Sequence, residues 1–566
     1  MKQFFILVAA MLCCGMPLRA GDIHVSASSG DDKAAGTAAA PLRTVGQALK
    51  QAREWRRLNL PQAEGGINII LGDGIYRQTT PLFVRPEDSG TPQSPTTVRA
   101  AHAGKAVISG GMEVTGWTRG CDDTRLPAHV RNKVWVAEAP RLGNRIVETR
   151  QMYVDGVKAR RASQFAEGVM ERMKDFNAAD ETITIPTPET DLKSATQLEM
   201  VVHQRWAIAI LRVKSMTDDG NGNTVVRFHD PESRLEFAHP WPQPVIGGER
   251  GNSSFFFTNA LELLDEPGEW YQDYPSGRIY YYPKDERDMN GKSVVVPVTE
   301  TLLAVEGTRE RTVGNICFED VAFEHASWLR PSHEGHVTLQ GGFRLIDAYK
   351  LDIPGLPEKK ELENQAWIAR PEAAVTVRHA HDIDFRGCIF RHLAATGLDY
   401  VTAVSSSGVS HCTFGDIGGT ALQIGTFPDG GFETHVPYIP AVKEDICSGI
   451  MVKGNMLGTA MFYGSGAGKL PTASAVVADI MEAVENADHN VPLGWSSERL
   501  VIADQKTSVH RYFVRVEGTG TELEQEAAAA FGGAELVKLD SLNDEFALLT
   551  GEMSEAAYAE CAAAFE

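Results

Sequence analysis

The sequence predicts a mostly β chain, in which a parallel β-solenoid with a β-rich insertion precedes a small α+β segment. Two observations support this prediction. Apolar side chains recur two dozen residues apart, and the chain changes from β-type to Ala-rich helical sequence at about residue 450. The length of 566 residues also calls for several domains, because an ordinary domain holds about 100–200 residues.

The repeat is clearest in two neighbouring segments with similar spacing of Cys and Phe. Three pairs of residues are each 24 positions apart: Phe385 and Val409, Cys388 and Cys412, and Phe390 and Phe414. A constant offset of this size corresponds to one coil of a solenoid, in which inward side chains stack on the same position one coil away. An earlier segment, Phe318 to Phe323, fits the same register. Chance strand alternation in a β-sandwich is the alternative.

The first 20 residues have the pattern of a signal peptide. Lys2 precedes an apolar run from Phe4 to Met16, and Leu18-Arg19-Ala20 forms a small-residue cleavage site. The pattern predicts export to the periplasm, the cell surface or the medium. No later apolar stretch reaches the length of a membrane span. The six remaining cysteines are scattered, which predicts neither a zinc site nor a disulfide framework.

Residues 21–163 are predicted to form the N-terminal cap and the first coils of the solenoid. Ile23 to Ser26 is a predicted strand, apolar residues from Leu42 to Ala52 recur at helical spacing, and Ile67 to Leu71 is a buried strand. A helix at this point would cover the open end of the solenoid, where an uncovered strand edge invites aggregation.

A β-rich insertion is predicted at residues 164–300, followed by further coils at residues 301–450. Leu198 to Val202, Ala209 to Lys214 and Thr224 to Phe228 have strand composition. The Asp-, Asn- and Gly-rich residues 218–223 predict a hairpin turn between the last two strands.

Three motifs lie in or beside this insertion: Met152-Tyr153-Val154-Asp155-Gly156, Glu269-Trp270-Tyr271 and the strand from Tyr280 to Pro283. With these motifs, residues 21–450 resemble secreted bacterial β-helix proteins of the glycoside hydrolase and polysaccharide lyase type. The resemblance implies a right-handed parallel β-helix of the pectate-lyase-like kind. It also implies a polysaccharide or oligosaccharide partner, and no cofactor is expected for this part of the chain.

The charge balance excludes two classes of partner. Lys and Arg number 54 against 75 Asp and Glu, which gives a formal net charge of −21. Binding to nucleic acid through phosphates requires clustered Lys and Arg. Docking on anionic lipid has the same requirement. We therefore expect neither nucleic-acid binding nor attachment to a membrane.

Candidate catalytic residues cluster in the predicted later coils. Glycoside hydrolysis requires two carboxyl groups that flank the scissile bond, and Asp399 and Asp416, about one coil apart, are the predicted pair. The predicted substrate-binding or acid/base partners are His392, Glu433 and His435. The alternative is structural, because Asp in a turn commonly caps the backbone.

A second candidate cluster contains Trp328 and Arg330, which are predicted to bind sugar by stacking and by charge. Closure of the core by Trp328 is the alternative. His379 and His381 lie on one face of a predicted strand, but no third ligand accompanies them, so no metal site is predicted.

The C-terminal segment has a different origin. Val452-Lys453-Gly454-Asn455 and the string from Phe462 to Val476 resemble the C-terminal end of the catalytic domain of homoserine dehydrogenase. Residues 451–508 would be a fragment of that domain, in which the last glycine of the string, here Gly468, lies by the nicotinamide cofactor. Residues 509–566, with a predicted β-α-β-β-α order, resemble an ACT-type domain.

A dinucleotide-binding Gly-x-Gly-x-x-Gly motif is absent from residues 21–450. NAD(P) binding is therefore expected only of a complete dehydrogenase domain. Residues 448–455 satisfy both the solenoid and the dehydrogenase pattern, which suggests a chimera of a truncated exported β-helix protein and a dehydrogenase tail. The leading function is that of a secreted glycoside hydrolase. The alternatives are a polysaccharide lyase, a non-catalytic glycan-binding solenoid and a homoserine dehydrogenase.

Overall fold

A computed structural model describes most of the chain. The described residues are 20–204, 207–238, 243–338, 344–348, 366–425, 432–435, 447–454, 458–465, 469–485, 504–537 and 545–565. They are mostly β and fall into two units, Met1–Ile439 and Pro440–Glu566. The predicted signal peptide lies outside the described residues except for Ala20. No described helix is both long enough and apolar enough to cross a membrane.

Two parallel sheets form the centre of the first unit. The first parallel sheet has ten strands: Gly21–Val25, Ile67–Leu71, Leu82–Val84, Thr96–Ala100, Leu303–Glu306, Val313–Glu319, Ala373–Arg386, Thr396–Ser405, Gly408–Ser410 and Leu422–Ile424. The second parallel sheet has five: Gly74–Arg77, Ala106–Ser109, Ala322–Ala326, Ile389–Leu393 and Thr413–Ile417. The chain passes repeatedly from the first sheet to the second, and it adds one or two strands to the first for each strand of the second.

The 24-residue repeat is confirmed by the strand register. Phe385 pairs with Val409 in the first parallel sheet, and Phe390 pairs with Phe414 in the second. The rings of Phe390 and Phe414 stack with centroids 4.6 Å apart, and those of Phe323 and Phe390 with centroids 5.2 Å apart. Identical side chains therefore pack in columns through a shared apolar core, as the sequence predicts.

The corners between strands also form columns. Non-glycine residues with positive φ recur at equivalent positions: Asn315, Asp382 and Ser406 form one set, and His325, His392 and Asp416 form another. Asn, Asp and His are the non-glycine residues that adopt this left-handed conformation most readily. The repeat thus brings polar side chains, as well as apolar ones, into register.

The predicted N-terminal helix is present as Val45–Arg57. Thr44 caps it by accepting a hydrogen bond from the backbone N–H of Gln47. Its apolar face is buried against the strands of the first parallel sheet, through Val45, Ala48, Leu49 and Ala52. Short helical turns occur at Pro61–Ala63 and Pro86–Asp88.

The insertion is built from mainly antiparallel sheets. A seven-stranded sheet contains Glu171–Arg172, Asp175–Asn177, Thr182–Pro186, Glu199–His203, Ile208–Asp218, Asn223–Phe228 and Ser254–Thr258, beside the helix Glu232–Ala238. A five-stranded sheet contains Thr118–Arg119, Trp135–Glu138, Arg160–Arg161, Glu269–Asp273 and Arg278–Tyr281. The three predicted strands are confirmed. In the predicted turn, the Asp219 carboxylate accepts hydrogen bonds from the backbone N–H groups of Asn221 and Asn223.

A smaller four-stranded sheet positions the residues that matter below. Its strands are Gly111–Glu113, Tyr153–Val154, Val157–Lys158 and Val294–Pro297. The first unit also has a three-stranded sheet of Arg344–Ala348, Ala366–Ala369 and Phe432–His435, a hairpin of Arg141–Leu142 and Arg145–Ile146, and the short helices Leu261–Leu263, Met289–Gly291 and Arg330–Glu334.

The second unit begins with an antiparallel hairpin of Cys447–Gly454 and Gly458–Ser465. Its first strand, which contains Ile450, pairs with this neighbour rather than forming another parallel coil, so the solenoid interpretation of residues 450–455 is wrong. The helix Lys469–Glu485 follows.

The rest of the second unit has a β-α-β-β-α order, as predicted. Phe513–Glu517, Glu535–Val537 and Glu545–Leu549 form an antiparallel sheet, with the helices Thr521–Ala530 and Glu555–Phe565. Val509–His510 pairs with Met553–Ser554, and Gln505–Thr507 is a helical turn.

Candidate functional site

The candidate site begins with a column of three side chains on the second parallel sheet. His325, His392 and Asp416 each come directly after a residue of this sheet, and those preceding residues are aligned with one another. Glu324 pairs with Arg391, and Arg391 pairs with Gly415. Each of the three has a positive φ, of 62°, 58° and 49°. The repeated left-handed corner therefore places two imidazoles and a carboxylate one above another.

The members of the column contact one another directly. His392 Nδ1 lies 2.8 Å from Asp416 Oδ2, and the rings of His325 and His392 stack with centroids 5.4 Å apart. Lys158 Nζ, from the four-stranded sheet, lies 3.8 Å from Asp416 Oδ1. Asp416 thus has one oxygen on an imidazole and the other beside an ammonium group, and its side chain stays 36% exposed.

Tyr153 packs against both imidazoles. Its ring centroid lies 5.1 Å from that of His325 and 4.6 Å from that of His392. The phenol oxygen is buried and has no hydrogen-bond partner among the described residues. Burial raises the pKa of Tyr153, and the carboxylates of Asp416 and Glu324 add to the increase, so the phenol stays protonated.

Glu324 adds a second carboxylate, only 6% exposed. Arg391 Nε lies 2.6 Å from Glu324 Oε1, and Ser109 Oγ lies 3.1 Å from His325 Nδ1. One polar atom from each of Glu324, His325 and His392 lies within 4.8 Å of the others. Burial lowers the pKa of His325 to about 3, which keeps this imidazole neutral.

A basic cavity adjoins the column. Lys158, which contacts Asp416, also lines a cavity of about 580 Å³ in the insertion. Five of its lining residues are basic and two are acidic: Arg150, Lys158, Arg160, Arg161 and Lys284 against Glu167 and Glu199. Basic side chains thus outnumber acidic ones in the lining, although Arg150 and Arg161 pair with Glu199, and Arg160 pairs with Glu266 and Glu269.

The comparisons with known proteins divide the chain in the same way as its sequence. A solved structure described as a glycoside hydrolase is 41% identical, covers 75% of this chain and 70% of its own, and superposes with a TM-score of 0.68. The chain belongs to the same glycoside hydrolase family. Residues 132–284 of the present chain also match the family model of the GH141 insertion domain.

The C-terminal segment is similar to a different family. Residues 441–481 match the homoserine dehydrogenase family model. The homoserine dehydrogenase of Pseudomonas aeruginosa is 38% identical over 70 residues, and that of Neisseria gonorrhoeae is 33% identical over 109 residues. The present chain spans only 16% of the length of the first of these enzymes and 25% of the length of the second.

The structure separates Asp399 from Asp416. Asp399 lies in the first parallel sheet at 2% exposure, and both of its oxygens contact the guanidinium of Arg370, at 3.0 and 2.5 Å. Arg370 also donates to the carbonyl of Gly425. Burial raises the pKa of Asp399, and Arg370 opposes that increase. These contacts favour the structural alternative for Asp399, which lies in a different sheet from Asp416. The catalytic role of the pair stays a prediction.

Trp328 and Arg330 are engaged with protein groups. Trp328 Nε1 donates to Glu372 Oε2 at 2.9 Å, and its ring meets that of His336 edge to face at 4.7 Å. Arg330 pairs with Glu334 at 2.6 Å in the same short helix. These contacts favour the structural alternative for Trp328.

Three of the predicted site residues lie outside the side chains that the structure describes. Glu433 and His435 lie in the strand Phe432–His435, which pairs with Ala366–Ala369, and their side chains are outside the described part. Gly468 also lies outside the described residues. Their predicted roles remain predictions.

The sequence analysis did not select Tyr153, Glu324 or His325 as site residues. A signal for His325 is nevertheless present, because Phe323-Glu324-His325, Phe390-Arg391-His392 and Phe414-Gly415-Asp416 share one spacing. The same repeat that aligns the phenylalanines aligns the third residue of each triplet. No comparable pattern marks Tyr153, which reaches the column from another sheet.

Proposed function

We propose that this glycoside hydrolase acts outside the cytoplasm on a polysaccharide or oligosaccharide, and that it uses Asp416 as an acid/base or nucleophilic carboxylate. The observation that carries the proposal is the contact of Asp416 with both His392 and Lys158 at the edge of the basic cavity. A partly exposed carboxylate held between two cationic or hydrogen-bonding groups is suited to proton transfer.

The fold proposed for this unit is a right-handed parallel β-helix. Its support is the alternation of the chain between the two parallel sheets and the 24-residue register of their strands. In such a helix, side chains from successive coils line one face. The column of His325, His392 and Asp416 has this property.

Glycoside hydrolysis needs a second carboxyl group, and Glu324 is the candidate beside the same imidazole. Arg391 contacts Glu324 Oε1, and Glu324 Oε2 lies 3.8 Å from His325 Nδ1 in the column. The excess of basic side chains in the cavity suits sugars that carry a carboxylate or a sulfate group. Acidic polysaccharides are therefore the first substrates to test.

The test compares the wild-type chain with Asp416→Asn on a panel of neutral and acidic polysaccharides. Loss of the carboxylate is expected to lower the release of reducing sugar at least 100-fold, because acid/base groups typically contribute 10²–10⁴-fold. Asp384→Asn is the control, because Asp384 lies in the first parallel sheet, away from the column, and pairs with Arg386 of its own strand. Equal activity of Asp416→Asn and wild type would contradict the proposal.

The reaction products and the binding of sugar distinguish the proposed hydrolase from a polysaccharide lyase and from a non-catalytic glycan-binding protein. A polysaccharide lyase would form an unsaturated product that absorbs ultraviolet light without net hydrolysis. A glycan-binding protein without activity would bind sugar equally well before and after Asp416→Asn, with no product of either kind.

The second candidate function is homoserine dehydrogenase activity, which the match at residues 441–481 favours. We propose that this segment is a fused fragment whose last portion has an ACT-type fold, and we expect no reduction of NAD(P)⁺ with homoserine above background. Turnover by the purified chain would contradict this. Sequencing of a single DNA molecule across codons 440–470 tests whether both parts belong to one gene.

A further inference from the structure

We propose that Glu324, His325 and His392 form a binding site for a divalent transition metal, with Zn²⁺ as the ion whose chemistry fits best. The proposal goes beyond the hydrolase function and does not depend on the substrate, and an ion bound here would use Glu324 as a ligand instead of as the second catalytic carboxyl group. The first observation is a cluster of one carboxylate and two imidazoles, in which a polar atom of each residue lies within 4.8 Å of those of the others. Two His and one Glu are an established ligand set for Zn²⁺ with an open fourth position.

The surroundings of the three residues support ligation. Each of the three residues has a polar atom in contact with a further side chain. Glu324 Oε1 contacts Arg391. His325 Nδ1 contacts Ser109 Oγ at 3.1 Å, and His392 Nδ1 contacts Asp416 Oδ2 at 2.8 Å. Metal-bound imidazoles commonly use their other nitrogen in this way, which fixes the tautomer and the ring orientation. These contacts leave each side chain a further ring nitrogen or carboxylate oxygen for an ion, and His325 Nδ1 also lies 3.8 Å from Glu324 Oε2.

Tyr153 is a second and independent observation. Its side chain is 1% exposed and its phenol oxygen has no partner in the described part of the chain. The ring touches both imidazoles of the set. Buried polar atoms are almost always hydrogen-bonded, so an unpaired one calls for an explanation. A metal-bound water in the fourth position would supply the partner for this phenol.

The backbone makes the arrangement rigid. Glu324 and Arg391 are paired in the sheet, and the two histidines occupy the same left-handed corner in successive strands. Ring stacking at 5.4 Å holds the imidazoles side by side. A set built on strands in register loses little conformational freedom when it binds an ion.

The test is isothermal titration of the full metal-free chain with Zn²⁺, together with the visible absorption spectrum after addition of Co²⁺. The wild type is expected to bind one ion and to give the intense spectrum of four-coordinate Co²⁺ with nitrogen and oxygen ligands. His325→Ala, His392→Ala and Glu324→Gln should each weaken binding at least 100-fold. His102→Ala is the control, because His102 is an exposed histidine paired with Asp73.

Ser109→Ala keeps all three ligands, and it removes the outer partner of His325 together with the acceptor of the Gly111 backbone N–H. It is expected to weaken binding by about 10–100-fold, and it guards against variants that fail to fold. The site does not exist if the wild type binds no Zn²⁺, or if His325→Ala and His392→Ala bind it as tightly as the wild type. Absence of sugar release by a wild-type chain that binds Zn²⁺ would instead contradict the proposed hydrolase function alone.

Discussion

Glu236 is a buried carboxyl group in the helix Glu232–Ala238. Gln204 donates a hydrogen bond to Glu236 Oε1 at 2.5 Å, and Oε2 is buried without a partner among the described residues. Burial raises the pKa of Glu236 from 4.5 to about 8, and the hydrogen bond from Gln204 opposes that change. The group is therefore protonated in the folded chain at neutral pH, whereas in the unfolded chain it is ionised.

This difference predicts that the free energy of unfolding falls as the pH rises from about 5 to 8. In that range the folded state holds a proton on Glu236 that the unfolded state has lost, so higher pH favours unfolding. The contribution is complete below pH 4.5 and is lost by about pH 8. Its slope is at most roughly 1.4 kcal/mol per pH unit.

Urea unfolding of wild type and Glu236→Gln at pH 5, 6.5 and 8 measures the effect. The variant should show a flatter dependence on pH, since it has no proton to lose. Glu138→Gln is the matched control, because Glu138 is an exposed carboxylate. Parallel pH profiles of wild type and Glu236→Gln would refute the prediction.

At the scale of the element, the columns of phenylalanine hold the parallel sheets together. Phe385 is fully buried, stacks on Phe318 with centroids 5.1 Å apart, and meets Phe323 and Phe390 edge to face. Each ring thus packs both within its own coil and against the neighbouring one. Truncation at one position affects several strands at once.

Phe385→Ala is expected to destabilise the first unit by about 3–5 kcal/mol, because it removes a buried ring and leaves a cavity. Phe83→Ala is the control: Phe83 lies in a strand of the same sheet but is 39% exposed, so a change of less than about 1 kcal/mol is expected. Thermal unfolding followed by circular dichroism compares the two. Similar losses for both variants would show that the column has no special role.

At the scale of the whole molecule, the two units differ in how well their apolar surfaces are covered. The first unit buries three clusters of apolar side chains, and the second unit buries one, which includes Phe531 and Leu548. In the second unit, the helix Lys469–Glu485 leaves Val476, Val477, Ile480, Met481 and Val484 at least half exposed. Apolar faces of this size are normally covered in a complete domain. The exposure agrees with a fragment of a dehydrogenase domain, as its match to homoserine dehydrogenase suggests.

Much of the architecture follows from local sequence. The 24-residue spacing is a property of neighbouring coils, so the stacking of Phe390 on Phe414 could be predicted without any structure. The helix Val45–Arg57 was equally accessible, because helical periodicity and the Thr44 cap are encoded within a few residues. The contact of His392 with Asp416 follows from the same repeat, since the two are 24 residues apart.

The sequence by itself determined the repeat, the capping helix and the change of family near residue 450. Only the tertiary structure decided which polar residues share a site. Tyr153 and Lys158 reach the column from the four-stranded sheet, more than 150 residues away in sequence, and Arg370 encloses Asp399 through a contact that no periodicity encodes. Periodic patterns report which side chains a coil repeats, whereas contacts between separate sheets depend on how the insertion packs against those coils.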